Sequence, residues 1–356
     1  MNRARIKKLM EVCAAHQLDA FLITHPISLR YIVGFTGSNG LSIITAKSVY
    51  FITDFRYKEQ ASIEVYADVI LQAKDSLVEG LKTFLGNNHL KNVGIEAEHI
   101  TLHLFEQLKE AVTPAQLVPL VDVINTIAAV KSSEEIENIR CACDITRAVF
   151  TDICHLLQTG AIERDIAAEI SYRIKKSGGD CDAFEPVVLF GSNSAFPHRK
   201  PGNTRLNQGD IIQLDFGAVY KGYCADFSRV LFMGEPSQKM SEMHRIVQEA
   251  QKRAITVCKP GVPANEIDAA ARAVIEQAGY GAYLGHAVGH GIGLDVHMLP
   301  KISPLHTAPI VPGNVFTIEP GVYFPGIGGI RIEDVAYMSN TGVNVLTNTS
   351  QDSIVL

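Results

Sequence analysis

The run Asp210–Leu231, DIIQLDFGAVYKGYCADFSRVL, decides how the rest of the chain is read. It holds two β-like segments joined by Tyr220-Lys221-Gly222. In the first, Ile211, Gln213 and Asp215 alternate with Ile212, Leu214 and Phe216; in the second, Asp226, Ser228 and Val230 alternate with Phe227, Arg229 and Leu231. A hairpin folded about Tyr220-Lys221 sets Asp215 opposite Asp226 on one face. Two carboxylates side by side in apolar strands repel each other and lose hydration. A positive charge is required between them, and a metal ion is the obvious candidate.

The pattern repeats further along the chain. Gly160-Ala161 opens a helix containing Asp165-Ile166, and Gly261-Val262 opens another containing Glu266-Ile267, 101 residues later. Gln208-Gly209-Asp210-Ile211 leads to Asp215-Phe216-Gly217, while Pro312-Gly313-Asn314-Val315 leads to Glu319-Pro320-Gly321, 104 residues later. Gly222 precedes Asp226 by four positions, as Gly329 precedes Glu333. Each half therefore reads as two helices followed by two strands that carry two acids. Asp215 corresponds to Glu319, and Asp226 to Glu333.

Four acids in apolar strands need a common partner. Between the second pair of helices and Glu319 lies Gly285–His297, GHAVGHGIGLDVH, which contains His286, His290 and His297. It is neither the helical HExxH motif nor a GxGxxG loop. His290, centred between glycines that permit close backbone approach, is the best ligand candidate. His198 stands in a loop just before the first hairpin. Four carboxylates and one imidazole exceed a tetrahedral zinc site. They suit two divalent ions, Mn²⁺ first, with Co²⁺, Zn²⁺ or Fe²⁺ as alternatives. Such a pair can share a hydroxide and clamp a substrate carbonyl.

Outside this region the sequence sets broad bounds. At 356 residues two domains are expected. A 47% hydrophobic and 20% charged composition is that of a globular protein. The net charge of -6 argues against nucleic acid as a partner. No signal peptide and no membrane-spanning run is read, and seven cysteines with no CxxC pair fit free thiols in the cytoplasm. Up to about residue 123, apolar strand-like runs (residues 19–24, 42–44, 49–52 and 92–95) alternate with helical stretches, which predicts a small α/β domain. Its polar residues His25, Asp54, Arg56 and Glu96 read as scattered. Ser132-Ser133-Glu134-Glu135 then starts a helix. The expected domains are 1–123 and 124–356.

The motifs LDFG, ADFSR, GHGIGLDVH, TIEPG and GIRIEDV together resemble the pita-bread metallopeptidases of family M24, and within them the Xaa-Pro branch of prolidases and aminopeptidase P. Residues 30–38 and 53–57 resemble the creatinase-type N-terminal domain of that branch, so the resemblance covers nearly the whole chain. It implies a two-domain α/β protein: a small creatinase-type domain, then a pseudo-twofold pita-bread (α+β) catalytic domain. It implies that Asp215 chelates the first metal, that Asp226 and Glu333 bridge both, and that His290 and Glu319 complete the second. A hydroxide shared by the metals would attack the carbonyl before proline, in Xaa-Pro dipeptides or short peptides with proline second. Glu319 would carry the proton, His297 would stabilise the oxyanion, His198 would orient the peptide and Arg331 would hold the ligands. His286 and Tyr323 would shape the proline pocket, and the subunits would form a homodimer. Met298 stands where the family often has an acid, and Lys301 where prolidases often have Arg. A methionine aminopeptidase-like enzyme shares the metal set but lacks the N-terminal domain. A metal-free creatinase-like amidinohydrolase, or a non-catalytic binding protein on this fold, would be expected to lack ligands that are complete here.

Overall fold

The computed structural model of the protein describes residues 2–85, 90–349 and 354–356. The chain divides into two compact units, Met1–Ala128 and Ala129–Leu356. The first contains α1 (Asn2–Ala15), β1 (Ala20–Ile23), α2 (Pro26–Val33), β2 (Gly40–Thr45), β3 (Val49–Thr53), α3 (Lys58–Glu64), β4 (Val69–Gln72), α4 (Leu77–Leu85), β5 (Asn92–Glu96), α5 (Leu102–Val112), β6 (Gln116–Leu120) and α6 (Val123–Ala128). Its six strands lie in the order β4-β3-β2-β1-β5-β6, with β1, β5 and β6 mutually parallel and β2 antiparallel to its neighbours. The strands are near-continuous apolar runs because helices cover the sheet. Leu22, Ile43, Ile52 and Ile95 pack with Leu81 and Phe84 of α4 and Leu108 of α5. The unit ends at Ala128 because α6 buries Val123, Ile124 and Ile127 and packs on α1.

The second unit is built twice over. Its first half runs α7 (Ser133–Cys154), α8 (Glu163–Lys176), β7 (Cys181–Asp182), β8 (Val187–Phe190), β9 (Ile211–Asp215), β10 (Ala218–Tyr220), β11 (Tyr223–Cys224) and β12 (Ser228–Phe232). The second runs α9 (Gln238–Val257), α10 (Ala264–Gln277), β13 (Gly289–Gly291), β14 (Met298–Ile302), β15 (Val315–Ile318), β16 (Gly321–Phe324), β17 (Gly328–Arg331), β18 (Asp334–Ser339) and β19 (Gly342–Val345), and β20 (Ile354–Val355) closes the chain. A capping box of Ser132 with Glu135 fixes the start of α7. Each helix pair packs on its own sheet. Phe150, Ile170, Val188, Leu214 and Leu231 form one core. Val247, Ile267, Phe316, Ile318 and Ala336 form the other.

In both halves the two principal strands pair antiparallel, β9 with β12 and β15 with β18, and a short hairpin leaves between them, β10/β11 in one and β16/β17 in the other. Ser228 and Glu333 are joined by an isolated bridge that stitches the halves together.

Two details of the hairpin reading are corrected. Asp215 pairs with Ser228, not with Asp226. The turn is Lys221-Gly222, with φ of +47° and +78°, so the hairpin is centred one residue later than Tyr220-Lys221. The register moves by two, which keeps Asp226 on the same face because strand faces alternate with period two. The counterpart of Gly222 is Gly326, φ +78°, in the β16–β17 connection; Gly329 lies inside β17.

All seven cysteines are free thiols. Among the described residues, no helix is long and apolar enough to cross a membrane.

The core assignment predicts unequal effects of two isoleucine truncations. Ile170→Ala, in the first-half core at 0% exposure, is expected to lower unfolding free energy by about 2–5 kcal/mol. Ile63→Ala, at 85% exposure, should change it by no more than about 0.5 kcal/mol. Urea midpoints of the two variants check this.

Candidate metal centre

The four acids sit where the principal strands hand over to the hairpins. Asp215 ends β9, Asp226 lies just before β12, Glu319 follows β15 and Glu333 precedes β18. All are withdrawn from water: Asp215 is 8%, Asp226 5% and Glu333 2% exposed, and the Glu319 side chain 16%. Solvated acids on edge strands would stand exposed, and these do not.

His290 arrives on β13, which runs between β14 and β15. A Cβ on Gly289 would stand 2.0 Å from the Thr317 carbonyl oxygen, and one on Gly291 2.1 Å from that of Leu299. The glycines therefore let β13 press between its neighbouring strands, and the register slips between His290 and Gly291. Nδ1 of His290 lies 3.1 Å from the Gly291 carbonyl oxygen, and its backbone N–H donates to Thr317 Oγ1 at 3.1 Å. With the ring proton donated at Nδ1, the Nε2 lone pair faces Glu319 Oε1 at 3.3 Å and Asp226 Oδ2 at 3.6 Å. Ligand atoms of Asp226, His290 and Glu333 all fall within 4.8 Å of one another.

That arrangement puts lone pair against lone pair. Burial, then the Glu333, Asp215 and Glu319 charges, hold the Asp226 carboxyl well above its usual range. Burial, then Glu319 and Asp215, do the same to Glu333. Burial first and Asp215 next raise Glu319, against Arg331 and the hydrogen bond from Thr317. Asp215 Oδ1 and Glu333 Oε1 are buried with no hydrogen-bond partner. Unsatisfied, mutually repelling oxygens beside an imidazole lone pair are the donor set for divalent cations, so the residues present fit the expected metals.

Arg331, at the end of β17, supplies the fixed positive charge. Its Nη2 donates to Asp215 Oδ2, its Nε to Ser228 Oγ at 3.0 Å, and its Nη1 to Tyr323 OH at 2.9 Å. Ser228 Oγ donates in turn to Glu333 Oε2 at 2.8 Å. Arg331 thus grips Asp215 directly and Glu333 through Ser228. Burial opposes its charge, but Tyr323, Asp215, Glu333 and Glu319 outweigh burial and raise its pKa.

The remaining predicted residues lie on the same side. Tyr323 OH is 3.0 Å from His286 Nε2, and His286 Nδ1 is 2.6 Å from the Ala287 carbonyl oxygen. One proton arrangement satisfies all of them: Arg331 donates to Tyr323, Tyr323 to His286, and His286 to Ala287. Burial pushes His286 down to about 4, so it is neutral at physiological pH. The His297 ring lies 4.3 Å from that of His290, and its pKa is lowered by burial and by His290. His198 is exposed, within electrostatic reach of both His286 and His297.

Several supporting residues escaped the sequence reading. Buried Arg229 pairs with Asp334 at 2.7 Å, donates to the Glu333 carbonyl oxygen at 2.6 Å and lies over the Phe227 ring. Gln251 Nε2 donates to Asp334 Oδ2 and to the Ile318 carbonyl oxygen. Gln213 Oε1 accepts from the Arg331 backbone N–H. Their signal was available, since Arg229 and Asp334 adjoin site residues in ADFSR and GIRIEDV, and Gln213 interrupts an apolar strand.

A duplicated fold that buries four acids and an imidazole along its seam defines a metal-dependent enzyme. The chain belongs to metallopeptidase family M24, whose sequence model matches residues 137–340; the creatinase/prolidase N-terminal domain matches residues 5–130. It is therefore a metallopeptidase with a creatinase-type domain followed by a pita-bread catalytic domain, and its family uses divalent metal ions. The chain is 33% identical over 355 residues to an Xaa-Pro dipeptidase of Pyrococcus furiosus, covering 98% of this chain and 99% of that one. An Xaa-Pro dipeptidase from Bacillus anthracis superposes with a TM-score of 0.97 at 34% identity, covering all of both chains. An X-Pro aminopeptidase from Thermotoga maritima superposes at 0.89 with 36% identity, covering 96% of this chain and 98% of that one.

The raised carboxyl pKa values fix a sign for pH dependence. Without metal, the folded protein retains site protons that the unfolded chain sheds above about pH 4. The site's contribution to stability therefore falls as pH rises toward the folded-state pKa values. Relative to metal-free wild type, metal-free Asp226→Asn is expected to gain stability progressively as pH rises from about 5 to about 7.5. Thermal unfolding after chelation checks this; a pH-independent difference would contradict the raised pKa values.

Proposed function

We propose that the protein is an exopeptidase that holds two divalent ions, Mn²⁺ foremost, and cleaves the bond between an N-terminal residue and proline. The observation that carries the reading is the lone-pair-rich cluster of Asp215, Asp226, His290, Glu319 and Glu333, which would hold the ions. The similarity to Xaa-Pro dipeptidases over nearly the full chain supports the choice of substrate. Bound ions would supply Lewis acidity at the scissile carbonyl and ionise water at neutral pH.

The chain's own groups do the rest. Glu319, with its raised pKa, takes up a proton and passes it to the prolyl nitrogen as it leaves. His297 lies beside His290 and donates a hydrogen bond to the oxygen on which negative charge develops. Exposed His198, within electrostatic reach of His286 and His297, orients the peptide. Neutral His286 and Tyr323 form an uncharged wall for the proline ring. A bond before proline offers no N–H, so the ring's shape must be recognised instead. Arg331 holds Asp215 and, through Ser228, Glu333 in place. The reading includes a homodimer in the cytoplasm. Exposed Phe55 and Leu102 of the N-terminal unit are apolar surface that a second subunit would cover.

Similarity to the Thermotoga enzyme supports a second form of this activity, release of the first residue from longer peptides with proline second. A panel of Xaa-Pro, Xaa-Pro-Yaa and Met-Ala-Yaa with Mn²⁺-loaded protein decides. Hydrolysis of the proline peptides alone is expected; equal hydrolysis of all three would sink proline specificity. Cleavage of Xaa-Pro only selects a dipeptidase.

Two substitutions separate the roles. Asp226→Ala should lose bound metal and turnover together. His297→Ala should keep its metal and lose roughly 10²–10³-fold in kcat with little change in KM. Steady-state kinetics and metal analysis on the same samples check both.

A further inference from the structure

We propose that the N-terminal unit carries a second metal site, separate from the catalytic centre, in which His25, Glu96 and His99 bind a zinc-type divalent cation. His25 follows β1 as the residue before α2, Glu96 is the last residue of β5, and His99 comes three residues later. β1 and β5 are parallel neighbours, with Leu22 beside Ile95, so their carboxyl ends bring these residues to one sheet edge. At this point the strand order changes direction: the chain leaves β1 toward β2, β3 and β4, then returns to β5 and β6 on the other side. Open α/β sheets place ligands outside the strand ends at such a switch.

The side chains are arranged for a cation. One ring nitrogen from each histidine and one carboxylate oxygen lie within 4.8 Å of one another. The two imidazoles stack, with centroids 3.7 Å apart and planes 3° apart, so one ring must rotate before both nitrogens meet a common ion. Glu96 is only 3% exposed. Ser28 Oγ donates to its Oε1 and the His25 backbone N–H lies near the carboxylate, while buried Oε2 makes no hydrogen bond of good geometry. A dry carboxylate oxygen without a partner is expensive, and a cation removes that penalty. Two imidazoles and one carboxylate match the ligand preferences of zinc, with a fourth position left for water. Zinc bonds of about 2.0–2.1 Å would draw the ligand atoms to ~3.3 Å apart. His99, on the surface, can turn to close that gap. A cation here would tie the β1–α2 loop to the β5–α5 loop and so stabilise the folded state.

The test uses the full-length chain, equilibrium dialysis against micromolar zinc, metal analysis and thermal unfolding. Wild type is expected to hold one zinc equivalent more than His99→Ala and to gain more in melting midpoint on zinc addition. After chelation the two proteins should melt together, because His99 is exposed. Glu96→Gln should lose the same equivalent. The same one-equivalent difference should appear in an Asp226→Ala background. Equal zinc contents of wild type and His99→Ala would overturn the proposal. So would a difference that vanishes in the Asp226→Ala background, because that would place the zinc at the catalytic centre.

Discussion

The repulsion among four carboxylates confined to a dry seam is the constraint on which the catalytic unit depends. Asp215, Asp226, Glu319 and Glu333 come from different strand ends, yet Asp215, Glu319 and Glu333 each raise the pKa of at least one other. A chain that only had to fold would not keep such a cluster, since apolar replacements of similar volume are often as stable. Arg331 offsets part of the charge and is locked by three partners of its own. Arg229 forms a separate pair with Asp334 and binds the Glu333 backbone from behind. One arginine faces the charge problem, and the other holds the strand that carries it. The remaining imbalance is what bound divalent ions would neutralise.

Duplication explains how one chain reaches this geometry. Each half contributes a strand pair that splays into a hairpin, and the splay exposes acids at the strand ends. A strand interior would bury such acids against an apolar core. A strand end beside a departing hairpin turns them toward the other half. The Ser228–Glu333 bridge makes the halves one structure, because Ser228 belongs to the first strand pair and hydrogen-bonds the acid of the second. Neither half alone assembles the set.

Much of this was legible in the sequence because the motifs are local. LDFG, ADFSR, TIEPG and GIRIEDV each keep an acid within a few residues of its strand, so periodicity and spacing located all four acids and the repeat. Register was not legible to the same accuracy. Whether Asp215 faces Asp226 or Ser228 rests on which two residues make the turn, and a non-glycine residue at positive φ, Lys221, is a weak signal. The glycines around His290 were read as access to a site, whereas they serve strand-to-strand contact. The grouping of His25, Glu96 and His99 was invisible for a different reason. Glu96 lies 71 residues from His25, and only the parallel pairing of β1 with β5, a non-local choice, brings them together.

The site separates groups held charged, groups held neutral and a group left between the two. Arg331 is kept charged by its surroundings and can only position. His286 is kept neutral by burial, and its hydrogen bonds to Tyr323 and Ala287 are already committed. A protonated His286 would put a second positive charge beside Arg331 and deprive Tyr323 of its acceptor. Glu319 differs from both. Burial and Asp215 raise its pKa while Arg331 and Thr317 lower it, so neither protonation state is strongly excluded. A group balanced in this way can accept a proton and release it again, whereas Asp226 and Glu333 are packed more deeply and would be held as anions only by bound cations. The same carboxyl chemistry thus meets two environments within one seam, and the difference is made by burial and by which neighbours each oxygen meets.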